Sequence, residues 1–241
     1  MLYIKNVSKS YGEKKALDNV SLHVPNGSIF GIIGHNGAGK TTMIKLITGL
    51  LAMGDGSSEG EITVAGHSVK DESMECKKIM AYIPDNPDLY ENLTGLQYLN
   101  FVADVYDVSE EDRQERIKKY ADMFEIYDDL QSQIASYSHG MKQKVAIIGA
   151  IIHEPKLLIL DEPFVGLDPK AAFILKNIMH EMCENGTAIF FSTHVLDVAE
   201  KLCDRIAIIK KGTIIASGQM EELIGNQSLE DVFMEVANAE K

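Results

Sequence analysis

Hydrophobic and polar positions change period several times along this chain. Residues 2–7 and 20–24 alternate, the pattern of half-buried strands. Residues 9–17, between them, read as a polar turn. Residues 29–33 are a short apolar run of the kind a buried strand makes, and Met43, Ile44, Leu46 and Ile47 then fall at helical spacing. Residues 49–60 are rich in glycine and serine and read as a surface excursion. A short strand is expected at 61–64 before a turn at Gly66, then a short helix at 73–80 leading into a strand at 81–83. Pro84-Asp85-Asn86-Pro87 ends regular structure there.

From residue 93 to 134 the period is helical and no strand signal intervenes. Thr94 caps a segment with apolar residues at Leu96, Leu99, Val102 and Val105. Ser109 opens a second, with Glu110, Glu111 and Asp112 in its first turn, where acids suit the helix dipole. Ile117, Tyr120, Ala121 and Phe124 continue it. The block reads as an inserted all-helical sub-domain whose aromatics face its own core. Strand–helix alternation then returns: helix at 138–152, strand at 157–160, helix at 170–183, strand at 188–191, helix at 195–201. A hairpin follows over 206–216, turning at Lys210-Lys211-Gly212, and a final helix over LEDVFMEV is expected to end near Asn238. Repeated strand–helix units argue for a parallel sheet between layers of helices.

With 241 residues, 45% of them hydrophobic, the chain suffices for one large domain with a real core. Its formal net charge of −13 and lack of a long basic block weigh against a nucleic-acid partner. Cys76, Cys183 and Cys203 have no C-x-x-C spacing and read as reduced core residues. Residues 1–12 do not form a signal peptide, and no stretch of about 20 apolar residues offers a membrane span. Any membrane link is therefore expected to come through a partner.

The chemistry begins at Gly34-His35-Asn36-Gly37-Ala38-Gly39-Lys40-Thr41, followed by Thr42, which satisfies G-x-x-x-x-G-K-[ST] between a strand and a helix. Glycines let successive backbone N–H groups turn inward around an anion, at a helix N-terminus whose dipole favours it. Lys40 is expected to reach the β- and γ-phosphates of a nucleotide and Thr41 to ligate Mg²⁺. The second element is Leu157-Leu158-Ile159-Leu160-Asp161-Glu162, an apolar strand delivering two acids to the same edge of the sheet. Asp161 is placed to hold Mg²⁺, and Glu162 to orient the attacking water. Tyr11, upstream of the loop, is either a surface aromatic or a ring that stacks on adenine.

These motifs, in this order, resemble the nucleotide-binding subunit of an ABC transporter over nearly the whole chain. Ser138-His139-Gly140-Met141 with Lys142-Gln143-Lys144 resembles the family's signature motif. Phe164-Val165-Gly166-Leu167-Asp168 resembles the loop after the acidic strand, and Ser192-Thr193-His194 the segment carrying its switch histidine. The resemblance implies that Tyr11 stacks on adenine and that His194 hydrogen-bonds the γ-phosphate. It implies that Ser138 and Gly140 complete the site of a second subunit, so that two chains close head to tail around two ATP. The usual glutamine before the insert is replaced by Asp85, which is either metal-linked or simply a turn former before Asn86-Pro87.

Periodicity and resemblance together imply an α/β protein. The expected fold is a P-loop NTPase core with a mostly parallel sheet, an N-terminal antiparallel β sub-domain and an inserted α-helical sub-domain. Residues 1–84 and 139–220 would form the core with its β sub-domain, 85–138 the helical sub-domain, and 221–241 a helical tail. The expected function is hydrolysis of ATP, with Mg²⁺, as a subunit peripheral to the cytoplasmic face of the membrane. Its expected partners are a second ATPase subunit and a separate integral membrane permease, and the short tail looks exporter-like. The rivals are a soluble ABC-type ATPase acting in assembly or repair, and a nucleotide sensor that does not hydrolyse; Glu162 and His194 argue against the latter.

Overall fold

The computed structural model describes residues 1–238. Its organising element is a six-stranded sheet built of β3 (Ile29–Ile33), β6 (Met80–Ile83), β7 (Leu157–Asp161), β8 (Ala188–Thr193), β9 (Arg205–Lys210) and β10 (Thr213–Gln219). The strand order is β10-β9-β3-β8-β7-β6, parallel from β9 to β6, with β10 added antiparallel as the hairpin partner of β9. Lys211 and Gly212 turn that hairpin with φ of 48° and 83°, both positive as a tight two-residue turn demands.

Both faces of this sheet are covered, which is why its strands read as unbroken apolar runs. Ile29, Ile33, Leu158, Leu160, Ile189 and Phe191 enter one core, while Phe30, Ile32, Leu157, Ile159, Ala188 and Phe190 enter the other. The first core is shared with α5 (His139–Ile151), α6 (Pro169–Glu184) and α7 (Leu196–Leu202). The second is closed by α1 (Lys40–Ile47) and by a separate four-stranded antiparallel sheet. That sheet has the order β2-β1-β4-β5 and comprises β1 (Leu2–Tyr11), β2 (Lys14–Val24), β4 (Ser58–Val64) and β5 (His67–Ser68).

Residues 9–17 are not the turn that the alternation predicts. β1 and β2 run on to Tyr11 and from Lys14, leaving only Gly12 and Glu13 between them. The register shifts after Ile4, Val7 and Lys9, and each bulge breaks the period of two that would have revealed a strand. The glycine-rich stretch 49–60 is likewise less free than expected, since its last residues begin β4 and Met53 and Ser58 are buried.

Between α2 (Ser73–Lys78) with β6 and the start of α5 lies the helical block, α3 (Gly95–Val105) and α4 (Glu110–Met123). Thr94 and Gln97 form a reciprocal capping box at α3, and Ser109 accepts from the Asp112 amide at α4, so both predicted starts hold. Tyr120 and Phe124 are buried as expected, but Tyr90 and Phe101 are exposed, so the block's aromatics do not all face inward. After β10 the chain continues through α8 (Met220–Ile224) to α9 (Leu229–Asn238). Leu229 and Phe233 of α9 pack into the first core, and the Leu229 amide donates to Glu200 of α7 at 2.7 Å.

Candidate functional site

The loop between β3 and α1 needs its glycines for space as much as for conformation. Gly39 adopts φ 115°, and a Cβ there would lie 2.7 Å from the Ala16 carbonyl oxygen. A Cβ on Gly34 would lie 2.4 Å from the carbonyl oxygen of Ile209. β2 and β9 thus hold the loop closely from behind. Lys40 is buried, and its Nζ donates to the Gly34 carbonyl at 2.6 Å, so the side chain folds back over the loop.

Sheet order then brings the acids to that lysine. β7 and β8 follow β3 across the sheet, and their C-terminal ends open at the same edge. Asp161, nearly fully buried, takes the Thr41 hydroxyl at 3.1 Å on one oxygen and the Ser192 hydroxyl on the other. Glu162 leaves the strand with φ 49°, an uncommon left-handed conformation for a non-glycine residue, held by its amide donating to Ser192 O at 3.2 Å. The turn aims its carboxylate into the cleft, with Oε1 4.0 Å from Lys40 Nζ and 2.9 Å from His194 Nδ1. Burial lowers the Lys40 pKa from its ordinary value, opposed by the Glu162 and Asp161 carboxylates. Burial, with the charges of Asp161 and Asp85, pushes the Tyr82 phenol up to about 12.

Lys40, Thr41, Thr42, Asp161, Glu162, Asp85, Tyr11 and the loop residues from His35 to Gly39 line one cleft of about 710 Å³. Lys14, Lys15 and Lys211 join its wall, so an acidic chain presents a cluster of ammonium groups where a polyphosphate would sit. Asp85 is exposed and accepts its neighbour Asn86's amide at 2.9 Å, as a turn former does, while also reaching the cleft. The His35 ring does not line up with the loop amides: it meets Phe233 of α9 edge-on, with centroids 5.1 Å apart.

Ser138 and Gly140 do not line this cleft. Ser138 is the exposed N-cap of α5, accepting from the Met141 amide, and it presents that helix's N-terminus to the outside. Sequence reasoning missed three supports. Ser192 holds Asp161 and the Glu162 amide, Asp168 caps α6 through the Ala171 amide at 2.8 Å, and Phe233 backs His35. Only Asp168 had a local signal, an acid immediately before Pro169 at a helix start.

Thr41 Oγ1 and Asp161 Oδ2 offer hard oxygen donors, one of them anionic, at the loop's mouth. Among the described residues no group of three or more His, Cys, Asp or Glu could hold a metal alone. That donor set suits Mg²⁺, which binds through one or two protein oxygens and fills its shell with phosphate oxygens and water.

The sequence pattern of the family described as ABC transporter matches residues 17–165. An uncharacterized ABC transporter ATP-binding protein of Nostoc sp. is 37% identical over 215 residues, covering 88% of this chain, which spans 62% of that relative's length. A solved structure of an ATP-binding subunit of an ABC transporter superposes with a TM-score of 0.94 at 36% identity, covering 99% of this chain and 100% of the other. A dimeric ATP-binding cassette in a post-hydrolysis state, bound to ADP and Pi, gives 0.78 at 28% identity over 91% of this chain and 99% of its own. The chain belongs to the ABC transporter family, as one of its ATP-binding cassettes.

Proposed function

We propose that this chain hydrolyses ATP with Mg²⁺, pairs with a second ATPase subunit around the nucleotide, and drives a separate membrane permease. The observation that carries the reading is the meeting of Lys40, Glu162 and His194, with Glu162 Oε1 4.0 Å from one and 2.9 Å from the other. In this reading the loop amides from Gly34 to Thr42 and the Lys40 ammonium bind the β- and γ-phosphates. Thr41 and Asp161 hold Mg²⁺, which when bound neutralises charge on the phosphate oxygens. Glu162 accepts a hydrogen bond from the attacking water and aligns it, and His194 fixes the Glu162 carboxylate through Nδ1. The ammonium, the amides and the aligned carboxylate meet what phosphoryl transfer demands, which is positioning and charge neutralisation. Tyr11 stacks on adenine. Asp85 serves chiefly its turn and lies near enough to the cleft to act through water.

Ser138 and Gly140 act in the partner's site. They lie outside this chain's own cleft, at an exposed helix N-terminus suited to a phosphate, and a related cassette is dimeric with ADP and Pi bound. The permease docks on the helical block. No helix of the described residues is long and apolar enough to cross a membrane. Tyr90 and Phe101, both exposed, pack edge to face with centroids 5.6 Å apart over a cleft of about 510 Å³ floored by Leu89. Leu89 itself is buried, so Tyr90 and Phe101 are the exposed contacts of this face.

Replacing Glu162 by Gln tests the reading. Hydrolysis should fall by about 10²–10⁴ while ATP stays bound, and the variant should run as an ATP-dependent dimer on size exclusion. Turnover near the wild-type rate would remove Glu162 from the reaction.

A further inference from the structure

Lys9 is an anomaly in β1. It is a lysine, yet it is only 3% exposed, and an enclosed ammonium needs partners to offset its lost hydration. It finds them outside its own strand. Its Nζ lies 3.0 Å from Asp55 Oδ2 and also donates to the Ser57 hydroxyl. The same Nζ sits 5.7 Å from the centroid of the Tyr11 ring. Lys9 and Tyr11 stand on the same strand, two residues apart, and the Nζ-to-ring distance brings the two side chains together.

The partners belong to the glycine-rich stretch that the sequence presents as a free excursion. The Ser10 amide donates to Ser57 O at 2.8 Å, and Lys9 is the register partner of Ser58 in β4. Asp55 is fixed in turn by the Ser57 amide at 2.9 Å and by the Ser58 hydroxyl at 3.0 Å. The Ser57 hydroxyl and then the Lys9 ammonium hold the Asp55 carboxyl below its usual range. Of these groups only Tyr11 lines the nucleotide cleft. Tyr11 is the last residue of its strand, 49% exposed, at the tip of a two-residue turn. A ring placed there loses rotamer freedom on stacking unless something orders it beforehand.

We propose that Lys9, clamped by Asp55 and Ser57, is a positioning residue for the nucleotide base: its ammonium holds the Tyr11 ring in the orientation that stacks on adenine. The attraction is that of a cation for a ring's electron-rich face, in a partly desolvated setting. The proposal rests on the reading of Tyr11 as the base-stacking ring.

The test compares two ligands on the full chain: the non-hydrolysable ATP analogue AMP-PNP and inorganic tripolyphosphate, each with Mg²⁺, by calorimetry. Lys9→Met should weaken AMP-PNP about threefold to tenfold and leave tripolyphosphate unchanged. In a Tyr11→Ala background the same substitution should cost nothing further. Asp55→Asn, at a half-exposed position that tolerates it, should give a smaller loss in the same direction and decides the matter if Lys9→Met does not fold. Unchanged AMP-PNP affinity in a folded Lys9→Met protein, or in Asp55→Asn where Lys9→Met fails to fold, would overturn the proposal while leaving Tyr11 in place. So would an equal loss for both ligands. Unchanged affinity in Tyr11→Ala would instead remove the stacking reading, and the proposal with it.

Discussion

Ser192→Ala probes how Asp161 is held. The Ser192 hydroxyl donates to one Asp161 oxygen inside a fully buried environment, while Thr41 keeps the other at 3.1 Å. The Glu162 amide loses one acceptor but retains the Ser192 carbonyl at 3.2 Å, so the backbone turn survives. What is lost is one hydrogen bond to a buried carboxylate, worth about 1.5–3 kcal/mol. Spread over the unfolding entropy of a chain this size, that lowers Tm by about 3–6 °C. The functional consequence is larger in one quantity than in the others. Asp161 would be free to rotate away from Thr41, so half-saturation by Mg²⁺ should rise by about tenfold or more, from the lower end of that energy range. Base recognition far from Asp161 should not change. ATPase rates titrated with Mg²⁺ at saturating ATP, beside thermal melts, give both numbers, and Ser192→Thr should recover much of each. A Ser192→Ala protein with the wild-type Mg²⁺ curve and the wild-type Tm would refute the claim that this hydroxyl orients Asp161.

Three further outcomes follow from the geometry. Mixing inactive Lys40→Ala and Ser138→Arg chains should restore part of the ATPase activity, because one site of the mixed dimer carries neither lesion; no recovery with the heterodimer confirmed would argue against shared sites. Replacing Tyr90 and Phe101 together by Ala should release the subunit from permease-containing membranes with ATP binding intact; retention on the membrane would place the docking face elsewhere. His153 stacks on Tyr106 with centroids 3.6 Å apart, and burial, outweighing the nearby Met80 backbone, pushes its pKa down to about 4. An unfolded histidine takes its proton below about 6.5, so the unfolded state binds more protons between pH 6.5 and 4, and stability falls as pH drops through that window. At pH 4.5 the cost is about 2–3 kcal/mol, and His153→Phe should flatten the decline in Tm accordingly; an identical slope in the variant would show that His153 is not its source.

Features governed by near neighbours along the chain are legible in the sequence by itself. The loop from Gly34 to Thr41 is contiguous, and its strand and helix flank it directly. The caps at Thr94, Ser109 and Ser138 act on amides three residues away, so each announces its helix locally. β3, β7 and β8 read as apolar runs because the sheet is covered on both faces. The tertiary structure alone decided the rest. The ends of β1 and β2 were hidden because bulges cancel the alternation that marks a strand. That Lys40, Glu162 and His194 meet follows from β8 lying between β3 and β7, and no local period encodes strand order. Ser192 on Asp161, Phe233 on His35 and Asp55 on Lys9 are contacts between residues far apart in the chain. Each depends on which strand or loop is laid beside which, and that is fixed only when two faces of one sheet are buried at once.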